Sequence, residues 1–85
     1  MKGKIVTIDN CMVGDKVAYN EEGKAFNKMH YYTINFNEVI YGVVVSFRNY
    51  IRPIITLELY NHKGIMVNPF WHVYADHLEF YEDSN

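Results

Sequence analysis

Two neighbouring stretches alternate apolar and polar residues with a period of two, and this constrains the fold more than any other feature. The first stretch, "VIYGVVVSFR" (39–48), has an apolar set made of Tyr41, Val43, Val45 and Phe47. The second stretch, "IITLELY" (54–60), has an apolar set made of Ile55, Leu57 and Leu59. Because successive side chains of a strand point to opposite faces, both stretches predict half-buried β-strands.

The residues around these strands predict further short elements. "NHKG" (61–64) supplies a tight turn, with Gly64 where a positive φ is tolerated, and "IMVNP" (65–69) reads as the returning strand up to a proline that ends the ladder. Upstream we expect a short strand in "DKVAYN", a turn in "NEEGK" and an alternating segment in "HYYTINF"; downstream we expect a helical turn near 74–77 and a strand near 78–81. The predicted core comprises Val17, Val43, Val45, Phe47, Ile55, Leu57, Leu59, Val67, Leu78 and Phe80.

The order of these elements resembles a known family of small barrels. The stretches "VGDKV", "GVVVSF", "ITLELYNHKGIMV" and "ADHLEFYE", within residues 12–82, are similar to the SH3-like small β-barrels of the prokaryotic KOW-like and Tudor-like type. The resemblance implies an all-β domain of about five strands, with a short helical turn before the last strand and a possible extra hairpin in the long connection 20–38. Barrels of this kind bind peptides, methylated side chains, nucleic acids or other proteins, so the resemblance leaves the function open.

Composition limits the class of protein. The chain has 85 residues, of which 49% are hydrophobic, and a formal net charge of −2. These values predict one folded domain (1–85) with a frayed acidic tail at 83–85, and the longest apolar runs fall well short of the roughly 18 residues of a membrane span. The start "MKGKIVTID" lacks a secretory signal, so we expect a cytoplasmic protein. The chain is rich in Asn, Ile, Lys and Tyr, whose codons are AT-rich, and this composition is typical of small open reading frames in bacteria or their phages.

Candidate catalytic and metal-binding residues lack the spacing that such sites require. His72 and His77 are five residues apart, off the i, i+4 face of a helical metal pair, and Glu58 and Glu79 are expected on outer strand faces, where carboxyl groups keep ordinary pKa values. Cys11, the only cysteine, excludes an internal disulfide and reads as a small buried hydrophobe. We therefore expect a protein that is not an enzyme and that has no cofactor and no metal.

A surplus of aromatic residues, with both arginines of the chain nearby, indicates a binding surface. Phenol and indole groups need polar partners, and Tyr, Trp and Arg dominate the binding energy of protein interfaces. The predicted binding residues are Arg48, Tyr50, Arg52, Tyr31, Tyr32, Phe70, Trp71 and Tyr74. Alternatively, Arg48 has no role in binding and forms an ion pair with Glu58 on the outer face of the sheet.

The predicted function is a non-catalytic binding module that docks on a protein partner. The alternative is nucleic-acid binding, with bases stacked on aromatic rings and arginines on phosphates, although pI 6.0 provides little positive charge for it. A small enzyme is the third function considered. A homodimer is a further alternative, because the outer faces of "GVVVSF" and "IMVNPF" are apolar enough to pair across a two-fold axis.

Overall fold

The computed structural model describes residues 4–30 and 39–81, with the side chains of 28–30 outside that description. The elements follow in the order β1 (Lys16–Tyr19), α1 (Glu21–His30), β2 (Val39–Arg48), β3 (Ile54–Asn61), β4 (Met66–Tyr74), a 3₁₀ turn (Ala75–His77) and β5 (Leu78–Phe80). The predicted fold class is confirmed, because the described chain is mostly β-strand with a helical turn before the last strand. The tail at 83–85 lies outside the described residues.

The five strands form one antiparallel sheet with the order β4-β3-β2-β1-β5. Strands β2, β3 and β4 are neighbours in both sequence and space, while β1 pairs with β2 on one side and with β5 on the other. The N-terminal segment bridges to β5 at Ile5 and Glu79. The predicted turn between β3 and β4 is confirmed, since Gly64 has a φ of 76°.

The core lies on one face of this sheet. Its buried residues are Val6, Cys11, Val17, Val44, Ile55, Leu57, Leu59, Val73, Ala75, Leu78 and Phe80. Six of the ten predicted core residues are among them, and the prediction for Cys11 as a buried hydrophobe is confirmed. Val43 is only half-buried, and Val45, Phe47 and Val67 are exposed by 38%, 39% and 43%, so the prediction for these four residues was wrong.

Strand β2 turns its other alternate set inward. Gly42 and Val44 face Leu59 and Leu57 across the ladder, and all four residues are buried. A Cβ at position 42 would lie 2.9 Å from the Cδ1 atom of Leu57, so the missing side chain leaves room for the β3 leucines. A bulge then shifts the register between Val44 and Ser46. Because both alternate sets of β2 contain valines, alternation alone could not choose the inner face.

The segment that connects β1 to β2 begins with helix α1, where a turn was expected in "NEEGK". Asn20 caps α1: its side-chain Oδ1 accepts a hydrogen bond from the backbone N–H of Gly23 at 2.8 Å, and its carbonyl accepts one from Lys24 at 2.9 Å. Glu21 and Glu22 occupy the first turn, where a carboxylate interacts favourably with the helix dipole. The expected extra hairpin falls mainly on residues 31–38, outside the described residues.

Strand β4 continues through Pro69 to Tyr74, although the proline was expected to end the ladder. Its register with β3 shifts between the pairs Leu57–Trp71 and Leu59–Asn68, so Pro69 and Phe70 together lie opposite Glu58. This is a bulge on a strand at the end of the sheet, where proline can be accommodated without loss of a central ladder bond. The strand therefore carries its aromatic residues on beyond the proline.

A contact between β4 and β1 shows that the sheet is curled. The indole Nε1–H of Trp71 donates a hydrogen bond to the hydroxyl of Tyr19, and both side chains pack against the core. In a flat sheet, β4 and β1 would be three strand spacings apart, roughly 14 Å. The curl brings the end of β1 close to the end of β4, and α1 lies at the same end.

Candidate binding site

A pocket opens where α1, the end of β1, the end of β4 and the 3₁₀ turn come together. Its volume is about 210 Å³. We call it the α1 pocket, and its principal lining residues are Tyr19, Phe26, Asn27, His72, Tyr74 and His77, with Ile54 and Val73 completing the wall.

The docking of α1 onto the 3₁₀ turn positions this pocket. The side-chain Nδ2 of Asn20 donates to the carbonyl of Asp76 at 2.9 Å, and the backbone N–H of Asn20 donates to the carbonyl of His77 at 3.0 Å. Gly23 permits the close approach, since a Cβ there would lie 2.3 Å from the His77 carbonyl oxygen and 2.7 Å from Cδ1 of Tyr19. The helix is thus fixed to the turn at its first residues, with Phe26 and Asn27 one turn further on.

Three rings form the aromatic wall of the pocket. Phe26 lies 4.9 Å from His77 and 6.1 Å from Tyr74 between ring centroids, and the Tyr74 and His77 rings meet edge to face at 5.6 Å. Edge-to-face aromatic pairs at such separations are favourable beyond their buried area. The cluster is a preformed, largely apolar surface contributed by three separate elements.

The buried amide of Asn27 is the main polar feature of this wall. Asn27 is only 3% exposed, and its Nδ2 has no hydrogen-bond partner within the part of the chain that the structure describes. His72 also lines the pocket, and its Nδ1 lies 2.9 Å from the hydroxyl oxygen of Thr56. The pocket therefore combines aromatic rings with one buried donor whose hydrogen-bonding capacity is unused by the described residues.

Arg52 lies across the rim of the α1 pocket. Its Nε and Nη2 atoms each donate to the carboxylate of Asp76 at 3.2 Å, and Nη2 is 3.0 Å from Nε2 of His77. The guanidinium carbon is 3.8 Å from the centroid of the Tyr74 ring, a cation–π contact. The hydrogen bonds with Asp76 raise the pKa of Arg52. About half of each charged side chain is exposed, so this pair shapes the rim more than it stabilises the fold.

The structure brings Arg52 and Tyr74 together and separates them from the other predicted binding residues. Arg48 donates from Nη1 to the Tyr50 hydroxyl at 3.1 Å, and this hydrogen bond raises the pKa of Arg48. Glu58, the alternative partner of Arg48, accepts a hydrogen bond from Tyr60. The two arginines thus belong to two different Arg–Tyr pairs.

The remaining predicted binding residues lie elsewhere. Phe70 is exposed and meets His72 edge to face at 5.7 Å, whereas its neighbour Trp71 packs inward against the core. Tyr31 and Tyr32 lie outside the described residues. Sequence reasoning missed Phe26, Asn27 and His77, because nothing in the local pattern shows that residues 26–27 and 77 meet in space.

A second aromatic feature runs across the outer face of the sheet. The ring of Tyr41 stacks on Tyr60 at 5.2 Å and on Tyr81 at 5.4 Å, and Lys16 Nζ lies 4.8 Å from the Tyr41 centroid. Partial burial and the hydrogen bond to Glu58 raise the pKa of Tyr60. We call Tyr41, Tyr60 and Tyr81 the tyrosine stack. It was not predicted, because the three tyrosines come from different parts of the chain.

Within residues 4–30 and 39–81, no three His, Cys, Asp or Glu side chains gather closely enough to hold a metal ion. The same residues contain no helix with the length and apolar character needed to cross a membrane.

Comparison of the chain with protein-family models, with curated proteins and with solved structures gave no match. The functional argument therefore rests on the geometry of the α1 pocket and its rim.

Proposed function

We propose that the chain is a non-catalytic binding module of the SH3-like small-barrel type that docks on a protein partner through the α1 pocket and its rim. The observation that carries this proposal is the aromatic wall of Phe26, Tyr74 and His77, with Arg52 stacked on Tyr74 at the entrance. The setting we propose is the cytoplasm of a bacterial cell, with the bacterium or a phage as the source.

The chemistry of the rim favours a protein partner. Tyrosine and arginine are enriched among the residues that dominate protein–protein binding, and a preformed aromatic pocket loses little side-chain entropy when it is filled. Exposed apolar residues extend the surface beyond the pocket, at Ile51 in the loop after β2 and at Phe70 on β4. The Asp76 carboxylate offsets the charge of Arg52 and the chain has a net charge of −2, which leaves little positive charge for a long phosphate backbone.

Affinity capture with the purified chain as bait tests this proposal, because the two Arg–Tyr pairs provide matched variants. The double variant Arg52→Ala/Tyr74→Leu removes the rim of the α1 pocket, and Arg48→Ala/Tyr50→Ala removes the other pair. We expect the first variant to lose partner capture by tenfold or more while remaining folded, since residues central to an interface cost about 2 kcal/mol or more. We expect the second variant to keep at least half of the capture.

Treatment of the lysate with nuclease and a salt series complete this experiment. Capture that resists nuclease and changes little with salt supports a protein partner, whereas capture that disappears with nuclease and weakens steeply with salt assigns the surface to nucleic acid. Loss of capture only in the Arg48/Tyr50 variant would move the docking site to the loop, and capture unaffected by either variant would contradict the proposal.

Sedimentation of the chain alone, over a concentration series, shows whether copies pair through the exposed faces of β2 and β4.

Nucleic-acid binding is the second candidate function, and the tyrosine stack is the observation that favours it. Single-stranded nucleic acids stack their bases on aromatic rings beside positive charge, and the half-buried rings of this stack have Lys16 next to Tyr41. Glu58 lies beside this stack and the net charge is −2, which disfavours phosphates. Fluorescence titration with a labelled oligonucleotide, comparing Tyr41→Ala with the wild type, separates this candidate from the α1 pocket.

A further inference from the structure

We propose that the α1 pocket binds a neutral amide carbonyl of the partner together with the adjacent apolar side chain, with the Nδ2 of Asn27 as the donor. The ligand is thus a short peptide segment of neutral, apolar character. This inference rests on the proposed function, because it names the part of the partner that enters the pocket.

The first support is the state of the Asn27 amide. A polar group that is 97% removed from solvent and lacks a hydrogen-bond acceptor disfavours the folded state, which is why buried polar groups are nearly always paired. An apolar residue of similar volume at this position avoids that cost. Nδ2 itself has almost no accessible surface, so a ligand acceptor satisfies it once the amide turns about its Cβ–Cγ bond toward the pocket that Asn27 lines.

The second support is the charge around the pocket. Three charged side chains interact with one another at its rim: Arg52, Asp76 and Glu22, whose carboxylate acts electrostatically on Arg52. These three charges sum to −1, and the Arg52 guanidinium already donates to both carboxylate oxygens of Asp76. Among these three groups an anionic ligand would meet an excess of negative charge and an arginine that is already engaged, so the acceptor that suits the Asn27 donor is a neutral carbonyl oxygen.

The third support is the shape of the pocket. A volume of about 210 Å³ is below the roughly 300–1,000 Å³ of pockets that enclose drug-sized ligands, so the occupant is a small fragment. The rings of Phe26 and Tyr74 and the side chain of Ile54 form an apolar boundary around it. One apolar side chain next to a peptide carbonyl fits this combination.

Nuclear magnetic resonance with ¹⁵N-labelled asparagine tests the proposal on the intact chain. The probe is N-acetyl-leucinamide, and the matched anion is N-acetyl-leucine, which is charged at neutral pH. We expect the neutral probe to shift the side-chain NH₂ signals of Asn27 in a saturable way at millimolar concentrations, while the side chain of Asn10, which does not line the pocket, does not respond. The anion should bind at least tenfold more weakly.

The variant Asn27→Leu separates a binding role from a structural one. We expect the affinity for N-acetyl-leucinamide to fall about tenfold, as for loss of one hydrogen bond, and the melting temperature to rise because an unpaired buried donor is removed. Asn49→Ala, in the exposed loop after β2, is the control and should change neither quantity.

Three results would overturn the proposal. One is the absence of any Asn27 shift in the wild type up to tens of millimolar probe, and another is tighter binding of the anion than of the amide. The third is an unchanged affinity in folded Asn27→Leu. If this variant also captures the protein partner like the wild type while Arg52→Ala/Tyr74→Leu does not, the inference fails and the proposed docking function stands; if neither variant affects capture, both fail.

Discussion

Burial determines the chemistry of the single cysteine. Cys11 is a member of the core cluster, and desolvation, together with the neighbouring Asp15 carboxylate, raises the pKa of its thiol from 9.0 to about 11. The thiolate is the reactive form, so a shift of two units lowers its population about a hundredfold at neutral pH. The sequence correctly indicated a small buried hydrophobe here, since a lone cysteine in a β-rich chain has no local activating group.

We therefore predict that Cys11 in the folded protein resists alkylation. At pH 8, iodoacetamide should modify it at least a hundredfold more slowly in native buffer than in urea, as measured by mass spectrometry. Because folding raises this pKa, the unfolded chain loses the proton first; the thiol therefore contributes stability fully below pH 9, and this contribution is lost between pH 9 and about 11. Native alkylation as fast as in urea, or no extra loss of stability relative to Cys11→Ala in that range, would contradict the assignment.

Single residues also explain why part of the core prediction was wrong. Val43 and Val45 belong to an apolar alternate set, but Gly42 on the opposite set gives space that Leu57 and Leu59 fill. The inward face of β2 thus depends on the side chains of its neighbour, which alternation within one strand does not contain. Where only one set was apolar, as in β3, the predicted inward residues were correct.

Elements were predictable where their local signals were complete. The bounds of β2 and β3 and the Gly64 turn follow from alternation and turn residues, and the 3₁₀ turn was expected in its place. Helix α1 was missed because it has ten residues, few apolar positions and a glycine. Its start signal was nevertheless present, since Asn20 followed by Glu21 and Glu22 is a capping residue before an acidic first turn.

Gly23 provides a test of the docking of α1. In a free helix, Gly→Ala stabilises by roughly 0.5–1 kcal/mol, but a Cβ at this position would clash with the His77 carbonyl. We predict that Gly23→Ala lowers the free energy of unfolding by about 1–3 kcal/mol and weakens binding at the α1 pocket. Chemical denaturation measures the first effect, and Ala25→Gly, at an exposed position of the same helix, is the matched control, with a loss no larger than about 1 kcal/mol. A Gly23→Ala protein more stable than the wild type would show that the helix does not pack this closely.

At the scale of the whole molecule, the curl of the sheet assembles the candidate site. Arg52 and Tyr74 were predicted as binding residues and line the same rim, because the loop after β2 and the end of β4 adjoin in any hairpin of this register. Phe26, Asn27 and His77 join them only because the sheet bends and α1 packs onto the 3₁₀ turn. Such long-range contacts leave no periodic signal in a sequence, so this half of the site could not be predicted.

The hydrogen bond from Trp71 to Tyr19 joins β4 to β1 across that bend, and it provides a measurable test of the curl. We predict that Tyr19→Phe costs about 1–3 kcal/mol, because it leaves the half-buried indole N–H without its acceptor. In a double-mutant cycle with Trp71→Phe, the coupling energy should be about 0.5–1.5 kcal/mol by chemical denaturation. Tyr60→Phe, which removes a hydroxyl on the outer face, is the control and should show a coupling with Trp71 near zero.

Because Trp71 is the only tryptophan, fluorescence reports its surroundings directly, and Tyr19→Phe should shift its emission. A coupling as small as that of the control would mean that this bond does not hold the two strands together, and that the curl depends on core packing alone.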